Sequence, residues 1–342
     1  MLATQQPVLR RFWYPVMPMA QLMGDRPQAF QLLGQNIVLW LGQDGQPVAL
    51  GDRCCHRTAR LSTGTVVDGC VRCPYHGWSY DGAGVCVNVP QFPPEQAIPA
   101  SYKVPSYPCA ERYGYVWVCL DDEPLLPIPS IPEAEDPTLR RIPEFYETWQ
   151  CSGLRVMENA FDNAHFSFVH FASFGNLQQP KPAPLKVVST EYGLAMKARV
   201  EAVNPPAQQK NIGIAEKTVL RTNEQTWYMP FARTLKIIYP NGLMHLIFTA
   251  ATPIDDRTSQ MIQFCVRNDT EADAKAEDII AFDRQVVSED RVVLETTDYD
   301  TPLSVYDQQH MASDQPGIVM RHKLAALLRQ HGETEQRLNA IV

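Results

Sequence analysis

The chain has 342 residues, 45% of them hydrophobic and 20% charged, with a formal net charge of −8. That composition belongs to a folded globular protein with room for two domain cores, and excludes a disordered or fibrous chain. The acidic balance and the lack of a Lys/Arg-rich run argue against nucleic acid as a main partner.

From about residue 12 to 120, short β-type runs alternate with turn signals. Examples are Ile37-Val38-Leu39-Trp40-Leu41 before Gln43-Asp44-Gly45, Val66-Val67 before Asp68-Gly69, and Tyr115-Val116-Trp117-Val118. They predict a small antiparallel β domain over residues 1–122. Prolines at 124, 127, 129, 132, 137 and 143 predict an irregular linker over 123–145. The second domain, 146–342, opens with a helical stretch over 156–171 and continues through a proline-rich loop at 179–184 into strand-like segments up to about 266. Helical patterns follow over 269–297 and 317–331, the last ended by Gly332. The fold class is therefore α+β. The apolar stretch 235–254 contains Pro240-Asn241-Gly242 and reads as two strands around a turn, so no membrane span is expected. Nine cysteines are an odd number, and no apolar leader with a small-residue cleavage site is evident. Reduced thiols, metal ligation and a cytoplasmic location are expected rather than a disulfide framework.

Within the first domain stand Cys54-Cys55-His56 and, sixteen residues on, Cys73-Pro74-Tyr75-His76, a C-x-H-x16-C-x2-H pattern. Two thiolates and two imidazoles in this order suit a Rieske two-iron, two-sulfur site, in which the neutral nitrogens raise the reduction potential above that of an all-cysteine cluster. A structural Cys2His2 zinc site is the competing reading. Zinc fingers, however, group their cysteines together and their histidines on a helix, whereas each cysteine here is paired with a histidine in turn-rich sequence. The other seven cysteines, Cys55 included, read as ordinary thiols.

The helical stretch of the second domain carries Asn159, Asp162, His165 and His170. Two histidines and one carboxylate on one face of an iron leave its other positions open for dioxygen and substrate. A five-residue spacing puts His165 and His170 about 140° apart on an ideal helix. Either the helix widens or ends between them, or one of them is a core residue. For the carboxylate, Asp290 interrupts an apolar stripe formed by Ile279, Phe282, Val286 and Val293. A buried carboxylate needs a partner, and a metal is one; the other possibility is a solvated pair with Arg284 or Arg291.

Taken together, C-x-H-x16-C-x2-H-G-W and N-x2-D-x2-H-x4-H resemble, in order and separation, the α-subunit (terminal oxygenase) of Rieske non-haem iron oxygenases, and the likeness spans nearly the whole chain. The resemblance implies a Rieske domain followed by a helix-grip catalytic domain, an antiparallel sheet curved around helices. It implies that Cys54, His56, Cys73 and His76 bind the [2Fe–2S] cluster and that His165, His170 and Asp290 bind a mononuclear Fe(II), with Glu289 the fallback for Asp290. Asp162 would link the Rieske histidine of one subunit to an iron-ligand histidine of the next, with Asn159 near the iron. It further implies an α-only homotrimer fed by NAD(P)H through a ferredoxin or flavin/ferredoxin-type reductase. Dioxygen would be the co-substrate for hydroxylation or oxidative demethylation of a small aromatic or alkaloid-like compound. The first loop departs from the family: no proline follows Cys54 and no glycine follows Arg57. Arg53, Arg57, Arg60 and Arg72 are candidates for docking an acidic redox partner, and Tyr228, Met229, Phe231, Met244 and Phe248 are candidates for the substrate pocket. His245 reads as a core histidine. The rivals are a Rieske electron carrier or redox sensor with no second iron, and an enzyme of the same type that desaturates or cyclises.

Overall fold

The computed structural model describes residues 1–22 and 24–338, which fall into two compact units: Pro7–Ile128, and Met1–Gln6 together with the chain from Pro129 onward. The first unit contains β1 (Tyr14–Pro18), β2 (Gln28–Leu32), β3 (Gln35–Leu41), β4 (Pro47–Gly51), β5 (Thr65–Val67), β6 (Cys70–Arg72), β7 (Ser79–Tyr80), β8 (Cys86–Asn88), β9 (Ser106–Tyr107), β10 (Cys109–Arg112) and β11 (Tyr115–Val118). They form three antiparallel sheets in the orders β1-β11-β10, β2-β3-β4-β9 and β5-β6-β7-β8. One local feature sets the position of Cys73. Asp68 and Gly69 both have positive φ, 51° and 74°. They form the two-residue hairpin turn that an Asp-Gly pair favours because its twist matches that of the strands. The turn pairs Val67 with Cys70 and leaves Cys73 one residue beyond β6. Trp40, Leu50, Val71 and Tyr80 pack with Cys54 and Cys73 in one buried cluster, so both thiols are anchored in the core of this unit.

The second unit is built on β12 (Arg140–Trp149), β13 (Leu185–Thr190), β14 (Gly193–Val203), β15 (Thr218–Tyr228), β16 (Ala232–Ile238), β17 (Met244–Pro253) and β18 (Ser259–Arg267). They make one antiparallel sheet in the order β12-β18-β17-β16-β15-β14-β13. Its helices are α1 (Pro132–Glu135), α2 (Gly153–Ala160), α3 (Phe166–Val169), α4 (Pro206–Ile212), α5 (Ala276–Leu294) and α6 (Gln315–Gln330). The period-two pattern is clear in β14, where Met196, Ala198, Val200 and Ala202 are buried and Lys197, Arg199 and Glu201 are exposed. Ile142, Ile247 and Cys265 on the inner face of the sheet pack with Ile279 of α5. Val219 and Ile237 pack with Ile212 of α4 and with Val286. Full burial of an aliphatic side chain of this size stabilises by about 1.5–3 kcal/mol. These contacts fix α5 over the sheet and thereby aim its acidic residues.

Three expectations change in detail. Strand β12 begins at Arg140, inside the stretch expected as linker. Pro143 is tolerated there because β12 is an edge strand and the register shifts between Pro143 and Phe145. The helix over 156–171 is not continuous: α2 ends at Ala160 and α3 starts at Phe166. Asp162 Oδ1 accepts the Ala164 N–H at 2.7 Å, a local bond that competes with helical pairing. The helix expected over 269–297 starts at Ala276.

Candidate metal centres

In the first unit two loops repeat one turn. Thr58 N–H donates to the Cys54 carbonyl at 3.0 Å and Gly77 N–H to the Cys73 carbonyl at 3.1 Å. Both returning residues have positive φ, 60° and 75°. Each cysteine N–H is also tied down, Cys54 to the Ala59 carbonyl at 2.9 Å and Cys73 to that of Trp78 at 2.8 Å. The imidazoles of His56 and His76 meet with ring centroids 4.5 Å apart. His56 stacks on Trp78 at 4.4 Å, and Trp78 stacks on Tyr102 at 4.8 Å. Nδ1 of both histidines is buried and has no hydrogen-bond partner. An orphaned buried nitrogen is costly, and a metal is the partner that this donor set fits. The Tyr80 hydroxyl lies 3.0 Å from Cys54 Sγ and 3.3 Å from Cys55 Sγ. Burial pushes the Cys73 thiol up, and so does Cys54 beside it; backbone N–H groups of Tyr75 and His76 pull the other way. Cys55 is exposed.

Thr58 is β-branched at a φ that glycine adopts without strain. Relief of about 1–2 kcal/mol of left-handed strain, less the entropy that glycine adds to the unfolded chain, gives an expected gain of about 0.5–1 kcal/mol for Thr58→Gly. A rise in the thermal midpoint of the holo-protein would be the readout; a fall would mean that the threonine is held without strain.

In the second unit the shortness of α3, a single turn that stops before His170, resolves the spacing problem. His165 immediately precedes α3 and His170 immediately follows it, so both rings turn to the same side. Their Nε2 atoms are 3.2 Å apart, and Asp290 Oδ1 lies 3.5 Å from Nε2 of His165 and 3.3 Å from that of His170. Asn159 Nδ2 donates to Asp290 Oδ1 at 3.0 Å. Arg284 and Arg291, the alternative partners of Asp290, pair instead with Glu147 and Glu295. Burial alone would raise Asp290, but His170 above all, with His165 and Asn159, offsets this and holds the carboxyl below its ordinary value. The outer nitrogens are held as well. His165 Nδ1 is 3.3 Å from Asp162 Oδ2, and His170 Nδ1 is 2.8 Å from Glu289 Oε2, which also accepts from Ser173 Oγ at 2.7 Å. Burial would lower His170; Asp290 and Glu289 outweigh it and raise the imidazole. Two imidazoles and one carboxylate with second hydrogen bonds on the far nitrogens are the arrangement a facial iron site requires.

Glu289 thus stands behind His170, on its Nδ1, rather than among the Nε2 atoms that converge on Asp290. Glu289→Gln keeps an acceptor toward His170 but loses its charge. Iron is expected to stay bound with an affinity lower by about 10–100-fold, read by iron retention during dialysis against a chelator. Complete iron loss at the first exchange would instead make Glu289 a ligand.

A pocket opens on the triad from the inner face of the sheet. It is lined from β15, β16, β17 and α5, and includes Arg221, Asn223, Gln225, Arg233, His245 and Asp283. None of Tyr228, Met229, Phe231, Met244 or Phe248 lines it; Phe248, for instance, stacks on Phe264 at 4.9 Å. His245 is buried, as expected of a core histidine, and its Nε2 lies 3.2 Å from Asp283 Oδ2 on α5. The signal that was missed is in β15, where Arg221, Asn223 and Gln225 alternate between Val219 and Trp227 and all five are buried.

Residues 12–108 match the Rieske [2Fe-2S] domain, and residues 149–330 match the vanillate O-demethylase oxygenase C-terminal domain. Among curated proteins, the chain is 30% identical over 338 residues to methylxanthine N1-demethylase NdmA of Pseudomonas putida, covering 96% of this chain and 92% of that one. It is 30% identical over 342 residues to methylxanthine N3-demethylase NdmB of the same organism, covering 95% and 91%. The solved structure of NdmA with caffeine superposes with a TM-score of 0.85 at 29% identity, over 95% of this chain and 93% of that one. A two-domain match along nearly the full length, on a chain whose paired Cys/His loops and His-His-Asp cluster are both formed, makes this protein a terminal oxygenase α-subunit of the Rieske non-haem iron oxygenase family, an oxidoreductase that uses a [2Fe–2S] cluster, mononuclear iron and dioxygen on small organic substrates.

Proposed function

We propose that this oxygenase hydroxylates or oxidatively demethylates an aromatic or N-heterocyclic compound, with His165, His170 and Asp290 holding the catalytic iron and Cys54, His56, Cys73 and His76 holding the Rieske cluster. The observation that carries the reading is the convergence of the His165, His170 and Asp290 ligand atoms in the lining of a pocket. When bound, the two centres supply electron storage and the activation of dioxygen. The chain's residues do the rest. Glu289 and Asp162 fix the two imidazoles from behind, and Asn159 holds Asp290 in register. Asp162 is half-buried, with its Oδ2 on His165, which supports a role in joining this site to a Rieske histidine of a neighbouring subunit. That path requires a ring of identical subunits, and a homotrimer is the simplest one. Arg53, Arg57, Arg60 and Arg72 are exposed and suit an acidic ferredoxin or reductase domain as electron donor. Among the described residues no helix is long and apolar enough to cross a membrane. The N-demethylase names of the two relatives support attack on a methyl group carried by nitrogen.

The test uses pre-reduced holo-protein mixed with dioxygen, with and without N-methyl and O-methyl aromatic compounds. Loss of the reduced cluster should accelerate with one class, and formaldehyde should appear in proportion. Uniformly slow reoxidation of a protein that holds only the cluster's iron would leave an electron carrier instead.

A further inference from the structure

The inner face of a sheet packed under helices is ordinarily apolar. Here β15 places Arg221, Asn223 and Gln225 on that face, and Arg233 of β16 stands opposite Trp227. Both arginines line the pocket that opens on the triad. The Arg221 guanidinium lies 4.8 Å from the centre of the Phe174 ring, which stacks on His170 at 4.6 Å, so this cation is one ring away from an iron-site histidine. Nε of Arg221, and Nε and Nη1 of Arg233, are buried without a hydrogen-bond partner. Asp283 Oδ2 lies 3.2 Å from His245 Nε2 without a hydrogen bond between them, and Asp290, whose charge acts on Arg233 from a distance, has its Oδ1 turned to His165, His170 and Asn159. Asn223 Oδ1 and Gln225 Oε1 are likewise buried and unpartnered; they offer acceptors beside the two cations.

A buried guanidinium with no hydrogen-bonded anion is costly, and its planar fork matches a carboxylate or sulfonate through paired hydrogen bonds. We infer that the substrate carries a carboxylate or sulfonate seated on Arg221 and Arg233, with an N–H or O–H donor toward Asn223 and Gln225 and the carbon to be oxidised turned to His165, His170 and Asp290. This rests on the oxygenase reading above and adds a substrate class to it.

The experiment measures equilibrium binding to the holo-protein by calorimetry. The probes are methoxybenzoate, methoxybenzenesulfonate and the neutral isostere methoxybenzamide, tested on the unaltered chain and on Arg221→Met, Arg233→Met and Arg233→Lys. The anions should bind at least about tenfold more tightly than the amide. Each methionine variant should weaken the anions by about 30-fold or more while leaving the amide unchanged, and Arg233→Lys should restore part of the loss. An amide that binds as tightly as the anions, no binding of either anion, or anion affinity unmoved in both methionine variants would overturn the inference. Should a methionine variant fail to fold, the anion-to-amide ratio of the unaltered chain still decides. Iron and labile sulfide counted on the same preparation keep the two readings apart: a full complement without anion preference removes only the substrate class, whereas cluster iron alone with the preference intact removes the oxygenase reading.

Discussion

Replacing Asp290 by alanine is expected to lower iron from about three to about two atoms per chain, with labile sulfide unchanged at about two, and to reduce turnover to about 1% or less. The magnitude follows from position. Losing a residue that merely supports a ligand costs about 10–100-fold in metal affinity or activity, and Asp290 contributes the charged atom of the set itself. Its Oδ1 stands within 3.5 Å of both histidine Nε2 atoms, and among the described residues no other carboxylate joins His165 and His170 in this cluster. The visible spectrum of the Rieske cluster serves as the control, because Cys54, His56, Cys73 and His76 belong to the other compact unit. Three irons retained with normal turnover would move the metal site away from Asp290.

The second large effect is expected at Asp162. Asparagine can keep the acceptor that Oδ1 offers to the Ala164 N–H, so the break between α2 and α3 should survive. What is lost is the negative charge behind His165, and with it the group proposed to join the site to the neighbouring subunit's cluster. Asp162→Asn is therefore expected to retain the full iron and sulfide content and the thermal midpoint, while substrate-stimulated reoxidation of the reduced cluster slows by about 10–100-fold. Partial recovery in Asp162→Glu would separate the charge from a merely structural role. Unchanged reoxidation in Asp162→Asn would exclude Asp162 from the electron path.

Asp290 also illustrates the limit of periodicity. The stripe Ile279, Phe282, Val286 placed it inward, yet an inward aspartate can be a ligand or half of an ion pair. The ion-pair alternative depended on where Arg284 and Arg291 reach, and they reach Glu147 and Glu295. The His165/His170 spacing was ambiguous for a related reason. A five-residue step is incompatible with chelation on a straight helix, and what reconciles it is that α3 is a single turn ending at Val169, which leaves His170 outside the helical register.

By itself the chain's order of residues determined the chemistry of the first unit and the kind of the second. A C-x-H and a C-x2-H in turn-rich sequence are local arrangements, and their loops close through bonds only four or five residues long, from Cys54 to Thr58 and Ala59 and from Cys73 to Gly77 and Trp78. The alternation of β14 and the helical period of α5 are local as well. The tertiary structure alone decided which residues face the pocket. Arg221, Asn223 and Gln225 reach it from β15, Arg233 from β16, His245 from β17 and Asp283 from α5. Period two states that alternate residues share a face; which face is covered depends on strand order and on where a helix tens of residues further along the chain packs. The apolar candidates were chosen on hydrophobicity, the property that the core claims first, and polar residues of the inner face stand where substrate can satisfy them.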